Sequence, residues 1–112
     1  MKKLYIVKKK EDFNTIIKKF PMIKNKYFVI YYRKNNLKYD RFGISVGKKI
    51  GNAVVRNKYK RRIRNIIDIY KKDYIKHQDY IIILRVRGKD VDFQTLKESL
   101  ISLLPKGESN EK

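Results

Sequence analysis

The chain has 112 residues, of which 42% are hydrophobic, so it is long enough for one domain with a modest core and too short for two. Thirty Lys and Arg residues against eleven Asp and Glu residues give a net charge of +19, which favours an anionic partner. The absence of cysteine excludes a disulfide framework and thiolate metal ligands, and it fits the reducing cytoplasm, where we expect the protein to reside.

The N-terminal segment predicts a short helix and no targeting signal. MKKLYIVKKKEDF holds only a four-residue apolar run between lysines, too short for a signal peptide or a membrane span. Glu11 and Asp12 suit the first turn of a helix, which Pro21 would end. Its apolar residues recur at helical spacing: Phe13, Ile16, Ile17 and Phe20.

Two strands are predicted next. Tyr27 to Tyr32 is an aromatic and β-branched run, followed by a turn at Asn35 and Asn36. Arg41 to Gly47 alternates, with apolar residues on one face and only Gly43, Ser45 and Gly47 on the other. The nearly bare second face has two explanations: tight packing against another element, or an open floor that lets a ligand's backbone come close.

The stretch from Lys48 to Arg64, KKIGNAVVRNKYKRRIR, is rich in basic residues and contains no acidic one. Gly51 marks a break before a helix that we place from about Ala53 to Tyr74. One side of this helix carries an apolar stripe: Val55, Tyr59, Ile63, Ile66 and Tyr70. The opposite side groups polar residues: Asn57, Lys60, Arg61 and Arg64. The pattern predicts that one face packs and the other binds.

Nucleic acid is the partner that this helix favours, with an anionic membrane surface and a merely solvated surface as alternatives. A solvated lysine-rich helix usually interleaves glutamates at i,i+4, whereas this stretch has no acidic residue before Asp68. Asn57 is the uncharged member of the polar side. It could initiate the helix, or it could orient a hydrated Mg²⁺ or a ribose hydroxyl.

The last third of the chain predicts a strand and a helix. Tyr80 to Leu84 is continuously apolar, as expected for a strand covered on both sides, and Gly88 follows it. Asp92 is suited to cap a final helix. The buried stripe of that helix is Leu96, Leu100, Leu103 and Leu104. The order helix, strands, helix, strand, helix predicts the α+β class, with one domain over residues 1–104 and a flexible tail at 105–112.

The sequence offers no protein active site. His77 is the only histidine, and the acidic pairs Glu11–Asp12 and Asp90–Asp92 are explained as helix charges and caps. We therefore expect no metal ion bound directly by the protein. Phe13 and Tyr31 could instead border the bare face, in a groove where unpaired bases stack, although a lone phenylalanine on an amphipathic helix is more often a core residue.

The segment FGISVGKKIGNAVVRNKYKRRIR closely resembles the core motif of the bacterial ribonuclease P protein family, and EDFNTIIKK, DYIIILR and LKESL follow that family in order and spacing. The resemblance implies a small mixed four-stranded sheet with three helices and a left-handed β-α-β crossover, against the usual right-handed rule. It also implies the non-catalytic protein subunit of an endoribonuclease that removes the 5′ leader of precursor tRNA, with the active site and its Mg²⁺ in the RNA subunit.

Site residues follow from the same resemblance. Contact with the RNA subunit is implied for Arg56, Asn57, Lys58, Lys60, Arg61 and Arg64. Contact with the leader is implied for Phe13, Ile17, Tyr31, Ser45, Lys48, Lys49 and Arg85. Lys58 stands where arginine is common, and Ile17 where a second phenylalanine is common. We expect the RNA subunit and precursor tRNA as partners, and neither DNA nor a membrane; the alternative is a ribosomal or general structured-RNA-binding protein.

Overall fold

The computed structural model describes residues 10–19, 21–70 and 77–104. Its elements are α1 (Lys10–Lys19), β1 (Met22–Lys24), β2 (Phe28–Lys34), β3 (Arg41–Val46), α2 (Ala53–Tyr70), β4 (Gln78–Leu84) and α3 (Phe93–Leu103). A 3-10 turn, Val86–Gly88, lies between β4 and α3. The predicted α+β class and element order are confirmed. The tail at 105–112 and positions 71–74 of the predicted basic helix lie outside the described residues.

The four strands form one mixed sheet in the order β1-β2-β4-β3. β2 runs antiparallel to β1 and β4, whereas β3 runs parallel to β4, so that β3, α2 and β4 make a β-α-β unit. The left hand of that crossover stays a prediction from the resemblance. β1 has no counterpart among the elements predicted from residue patterns, because three residues with one half-buried side chain carry too little alternation to detect.

The larger core lies between one face of the sheet and helices α2 and α3. Phe42 and Tyr80 stack at its centre, with ring centroids 5.2 Å apart. Four residues of the predicted stripe of α2 are buried, Tyr59, Ile63, Ile66 and Tyr70, whereas Val55 is half-buried against the same core. Ile67 is also buried, although the predicted stripe did not include it. Leu96 and Leu100 of α3 are buried against the same core. Burial of these side chains fixes the side of α2 that cannot meet a partner.

A smaller cluster lies on the other face of the sheet, under α1. Ile16 of α1 and Ile81 of β4 are both fully buried there, and Ile17, Tyr31 and Ile83 pack against them. β4 is therefore covered on both sides, as its continuous apolar run predicts.

The predicted cap of the final helix is confirmed. The carboxylate of Asp92 accepts hydrogen bonds from the Thr95 backbone N–H at 3.2 Å and from the Thr95 hydroxyl at 2.6 Å. These two hydrogen bonds from Thr95 hold the pKa of Asp92 below its usual value. Both oxygens of this carboxylate are thus engaged within α3.

Candidate nucleic-acid interface

The start of α2 is fixed by Gly51 and Asn52. The Asn52 side-chain oxygen accepts a hydrogen bond from the Val55 N–H at 3.0 Å, and its carbonyl accepts one from the Arg56 N–H at 2.9 Å. A Cβ at position 51 would lie 2.8 Å from Val55 Cγ1, so this close approach requires glycine. Asn57 lies one turn further along and is exposed. The helix-initiating interpretation of Asn57 is therefore wrong, because Asn52 fills that position.

We define the outer face of α2 as six residues: Arg56, Asn57, Lys58, Lys60, Arg61 and Arg64. Arg56 and Lys60 are half-buried, and the other four are exposed. Within residues 10–19, 21–70 and 77–104, no carboxylate forms an ion pair with a cation of this face. The Nε of Arg56 is buried and has no hydrogen-bond partner there either. The outer face thus presents positive charge that the described fold does not neutralise.

We define the floor as the face of the sheet beneath α1. Register partners in neighbouring strands share a face, because side chains alternate along each strand. Two rows therefore cross the floor, Tyr31–Ile81–Gly43 and Val29–Ile83–Ser45. The structure thus brings together three of the residues that the resemblance assigns to the leader: Ile17, Tyr31 and Ser45.

The bare face is packed in one part and open in another. Gly43 is buried and Ser45 is half-buried, whereas Gly47 is exposed. A Cβ at Gly47 would meet no atom within 4 Å, and its backbone φ is not positive, so neither packing nor conformation requires glycine there. The floor is consequently packed at Gly43, and the chain is open at Gly47, directly after the end of β3. Phe13 belongs to α1, but its side chain lies outside the described part of the structure.

The remaining predicted leader residues lie at one end of the floor. Lys48 and Lys49 are exposed in the turn after β3, and Arg85 directly follows β4. Because β3 and β4 are parallel, both segments leave the sheet at the same edge. Arg85 also has a structural role, since its Nη1 donates to the Asn25 carbonyl at 2.7 Å. The sequence pattern gave no sign of this second role.

A charged cluster lies at the opposite end of the floor, around the fully buried Asp79. Arg41 donates to both carboxylate oxygens, at 2.8 and 2.6 Å, and Arg33 and Asn35 donate at 3.1 and 2.9 Å. Burial opposes ionisation, but the hydrogen bonds from Arg41, Asn35 and Arg33 outweigh it and hold the pKa of Asp79 below its usual value. This network escaped sequence reasoning, because its members are distant in the chain.

The single histidine, His77, lies directly before β4. His77 is exposed, and its Nδ1 lies 2.7 Å from the Leu37 carbonyl, an arrangement that requires the proton on Nδ1. The described ranges contain no group of three or more His, Cys, Asp or Glu side chains that could hold a metal ion. None of the helices described here has the length and apolar character to cross a membrane.

The fold and its surfaces define a class: a small basic α+β protein whose parallel β-α-β unit presents a helix with a cationic face that no described carboxylate pairs with. The family model described as Ribonuclease P matches residues 1–108, and the chain belongs to this family. Membership connects the chain with ribonuclease P and tRNA processing, and it confirms the resemblance inferred from the FGISVGKKIGNAVVRNKYKRRIR segment.

Known relatives match over nearly their full lengths. The ribonuclease P protein component of Streptococcus equi subsp. equi is 43% identical over 104 residues, covering 93% of this chain and 87% of that protein. The component of Mycoplasma mycoides subsp. mycoides is 46% identical over 106 residues, covering 93% and 96%. The solved RNase P protein of Staphylococcus aureus superposes with a TM-score of 0.82 at 40% identity, covering 88% of this chain and 91% of that one.

Proposed function

We propose that this chain is the RNA-binding protein subunit of ribonuclease P, acting in the cytoplasm on the 5′ maturation of tRNA. The outer face of α2 binds the catalytic RNA subunit, and the floor holds the single-stranded 5′ leader of precursor tRNA. The protein adds substrate affinity and efficient use of metal ions. Cleavage of the phosphodiester bond is carried out by the RNA subunit and its Mg²⁺.

The observation that carries this proposal is the outer face of α2. Arg61 and Arg64 extend from a helix whose apolar stripe packs against the core, and no described carboxylate pairs with them. With a net charge of +19, the free protein repels itself, and phosphates relieve that repulsion. Arginine forks suit bidentate phosphate contacts, whereas Lys58 and Lys60 act as point charges.

The floor supports the leader assignment through its shape and chemistry. Tyr31 and Ile17 provide an aromatic and apolar wall, and the open space at Gly47 lets a nucleic-acid backbone approach closely. Lys48 and Lys49 stand at the same edge to hold phosphates, with Arg85 beside them. Phe13 and Ser45 complete the set that we assign to the leader. Stacking on aromatic side chains tolerates different leader sequences.

Mg²⁺ belongs mainly to the RNA subunit in this proposal. Its preference for oxygen ligands and its retained waters suit a water-mediated contact with an exposed amide. Asn57 is such an amide, free of the capping role that Asn52 fills. It would orient a hydrated ion at the RNA surface without binding the metal directly.

Reconstitution tests the proposal. The full chain is combined with the RNA subunit at low Mg²⁺, and precursor tRNA cleavage is compared with that supported by an Arg61→Ala/Arg64→Ala variant. We expect the variant to lose most of the stimulation. Loss of two phosphate contacts should also reduce the slope of log affinity against log salt by about 2, roughly one unit per contact.

A matched control is Lys34→Ala/Lys38→Ala, which removes the same charge from two exposed positions elsewhere. It should stimulate cleavage like the unaltered protein. Equal stimulation by the Arg61→Ala/Arg64→Ala variant would contradict the assignment of the outer face. Tight binding to unrelated structured RNAs without stimulation would indicate a general RNA-binding protein, and cleavage by the protein alone would indicate a protein nuclease.

A further inference from the structure

The loop between β4 and α3, residues 85–92, is held in a fixed shape. Its backbone makes successive turn hydrogen bonds, from the Gly88 N–H to the Arg85 carbonyl at 2.8 Å and from the Lys89 N–H to the Val86 carbonyl at 3.0 Å. A Cβ at Gly88 would lie 2.5 Å from Leu84 Cδ1, so the turn packs directly on the end of β4. The loop therefore presents its side chains from a defined backbone.

Tyr59 joins this loop to the basic helix. Its hydroxyl accepts a hydrogen bond from the Asp90 N–H at 2.8 Å, at a residue with a left-handed backbone (φ 63°). The same ring lies under the guanidinium of Arg62, 5.8 Å from ring centroid to Cζ. One buried side chain thus stands between Arg62 and the loop and holds both.

The charges around this contact are mostly positive. Arg87 and Lys89 are exposed on the loop, and Arg62 is half-buried on α2, over the Tyr59 ring that also meets the loop. Asp90 and Asp92 are exposed and supply two negative charges, and the Asp92 carboxylate accepts hydrogen bonds from Thr95. Three cations against two exposed carboxylates leave a positive balance. This surface continues into the outer face of α2 through Lys58, one helical turn from Arg62, and its charge fits a phosphate backbone.

We propose that Arg62, Arg87 and Lys89 form a second phosphate-binding surface for the RNA subunit, and that Tyr59 is the positioning residue that holds the loop against α2. This inference rests on the proposed function and extends the interface from one helix to a helix and a loop. Tyr59 acts through the loop and does not itself contact the RNA.

Tyr59→Phe is the sharpest test, because it keeps the ring and the protein's charge and removes only the acceptor of the Asp90 N–H. Binding of the full chain to the ribonuclease P RNA subunit is measured over a range of salt concentrations. We expect an affinity about three- to tenfold lower and a salt slope smaller by about 1, as for one lost phosphate contact. If Tyr59 contributes only to stability, Tyr59→Phe should lower the urea concentration at the unfolding midpoint and leave the slope of log affinity against log salt unchanged.

A second variant, Arg87→Gln/Lys89→Gln, tests the surface without touching the core. It should reduce the salt slope by about 2. Combined with Tyr59→Phe, it should lose less than the sum of the two separate effects, because both act on the same contacts. Lys34→Gln/Lys38→Gln, with equal charge loss, should bind RNA more tightly than Arg87→Gln/Lys89→Gln.

The outcomes separate the two proposals. If Arg87→Gln/Lys89→Gln keeps the affinity and salt slope of the control while Arg61→Ala/Arg64→Ala loses affinity, the second surface is wrong and the proposed function stands. If the Arg61→Ala/Arg64→Ala variant also binds like the unaltered protein, the proposed function is wrong as well. Additive losses in the combined variant would overturn the positioning role of Tyr59.

Discussion

Arginine side chains have different surroundings in two regions of this protein: they are paired with a carboxylate in one and exposed in the other. At one end of the floor, Arg33 and Arg41 hold the buried carboxylate of Asp79 with contacts of 2.6 to 3.1 Å. On the outer face of α2, Arg61 and Arg64 are exposed, and no described carboxylate pairs with them. Residues of the first kind find their partner within the chain. Residues of the second kind find no carboxylate partner within residues 10–19, 21–70 and 77–104, and can receive one from another molecule.

The difference shows that net charge alone does not identify the cations that are available to a binding partner. The value of +19 counts all arginines alike, although those around Asp79 stabilise the fold. A polar residue with an internal partner should affect stability when it is replaced, and one without should affect binding. Four predictions test this division.

The largest effect is expected at Asp79. Asp79→Asn removes the negative charge that compensates two guanidinium groups at a fully buried site, so the free energy of unfolding should fall by about 3–5 kcal/mol. Urea unfolding followed by circular dichroism measures it. Asp90→Asn is the control, since it makes the same charge change at an exposed residue whose left-handed backbone suits asparagine. Equal losses in both variants would break the comparison.

Phe13 extends the division to an apolar side chain. Phe13→Ala should weaken binding of precursor tRNA with a long leader by about 1–3 kcal/mol, the contribution of one stacked base. Mature tRNA lacks the leader and should bind to the reconstituted enzyme almost unchanged. Affinities for the two RNAs are compared directly. A similar loss for both would mean that Phe13 supports folding instead.

Two asparagines provide the same contrast within one helix. Asn52→Ala removes the N-cap of α2 and should cost about 1 kcal/mol of stability. Asn57→Ala replaces an exposed side chain inside the helix, where alanine is the better helix former, and should not lower stability. Thermal unfolding of both variants, together with cleavage at low Mg²⁺, checks this. The division fails at this site if Asn57→Ala destabilises as much as Asn52→Ala.

The smallest effect concerns acid pH. Because the pKa of Asp79 is lower in the folded state than its unfolded value of about 3.9, its stabilising contribution is present at neutral pH. That contribution is lost as pH falls below about 4 and through the folded-state pKa. The unaltered protein should therefore lose stability more steeply than Asp79→Asn between pH 5 and pH 2. Parallel stability curves would show that Asp79 does not ionise as we infer.

Local patterns in the sequence were sufficient for the three described helices and for three of the four described strands, β2, β3 and β4. The apolar stripe of α2 repeats every three to four residues, and the cap of α3 joins Asp92 to Thr95, so both depend on near neighbours. The continuous apolar run of β4 likewise predicted burial on both sides. Of the site, sequence reasoning predicted a packed side and an exposed side of α2, since a helix with one apolar stripe has only one other side to expose.

Only the tertiary structure decided which polar residues are available to a partner. Asp79 meets Arg41 and Arg33 across 38 and 46 residues, and the Tyr59 hydroxyl meets Asp90 across 31 residues. Such pairs depend on strand register and helix packing, and the spacing of apolar residues along one helix or strand does not predict either. The sequence by itself determined the family, the α+β order and the basic face of α2. Long-range packing decided which cations serve the fold, because an ion pair is made by residues that are neighbours only after folding.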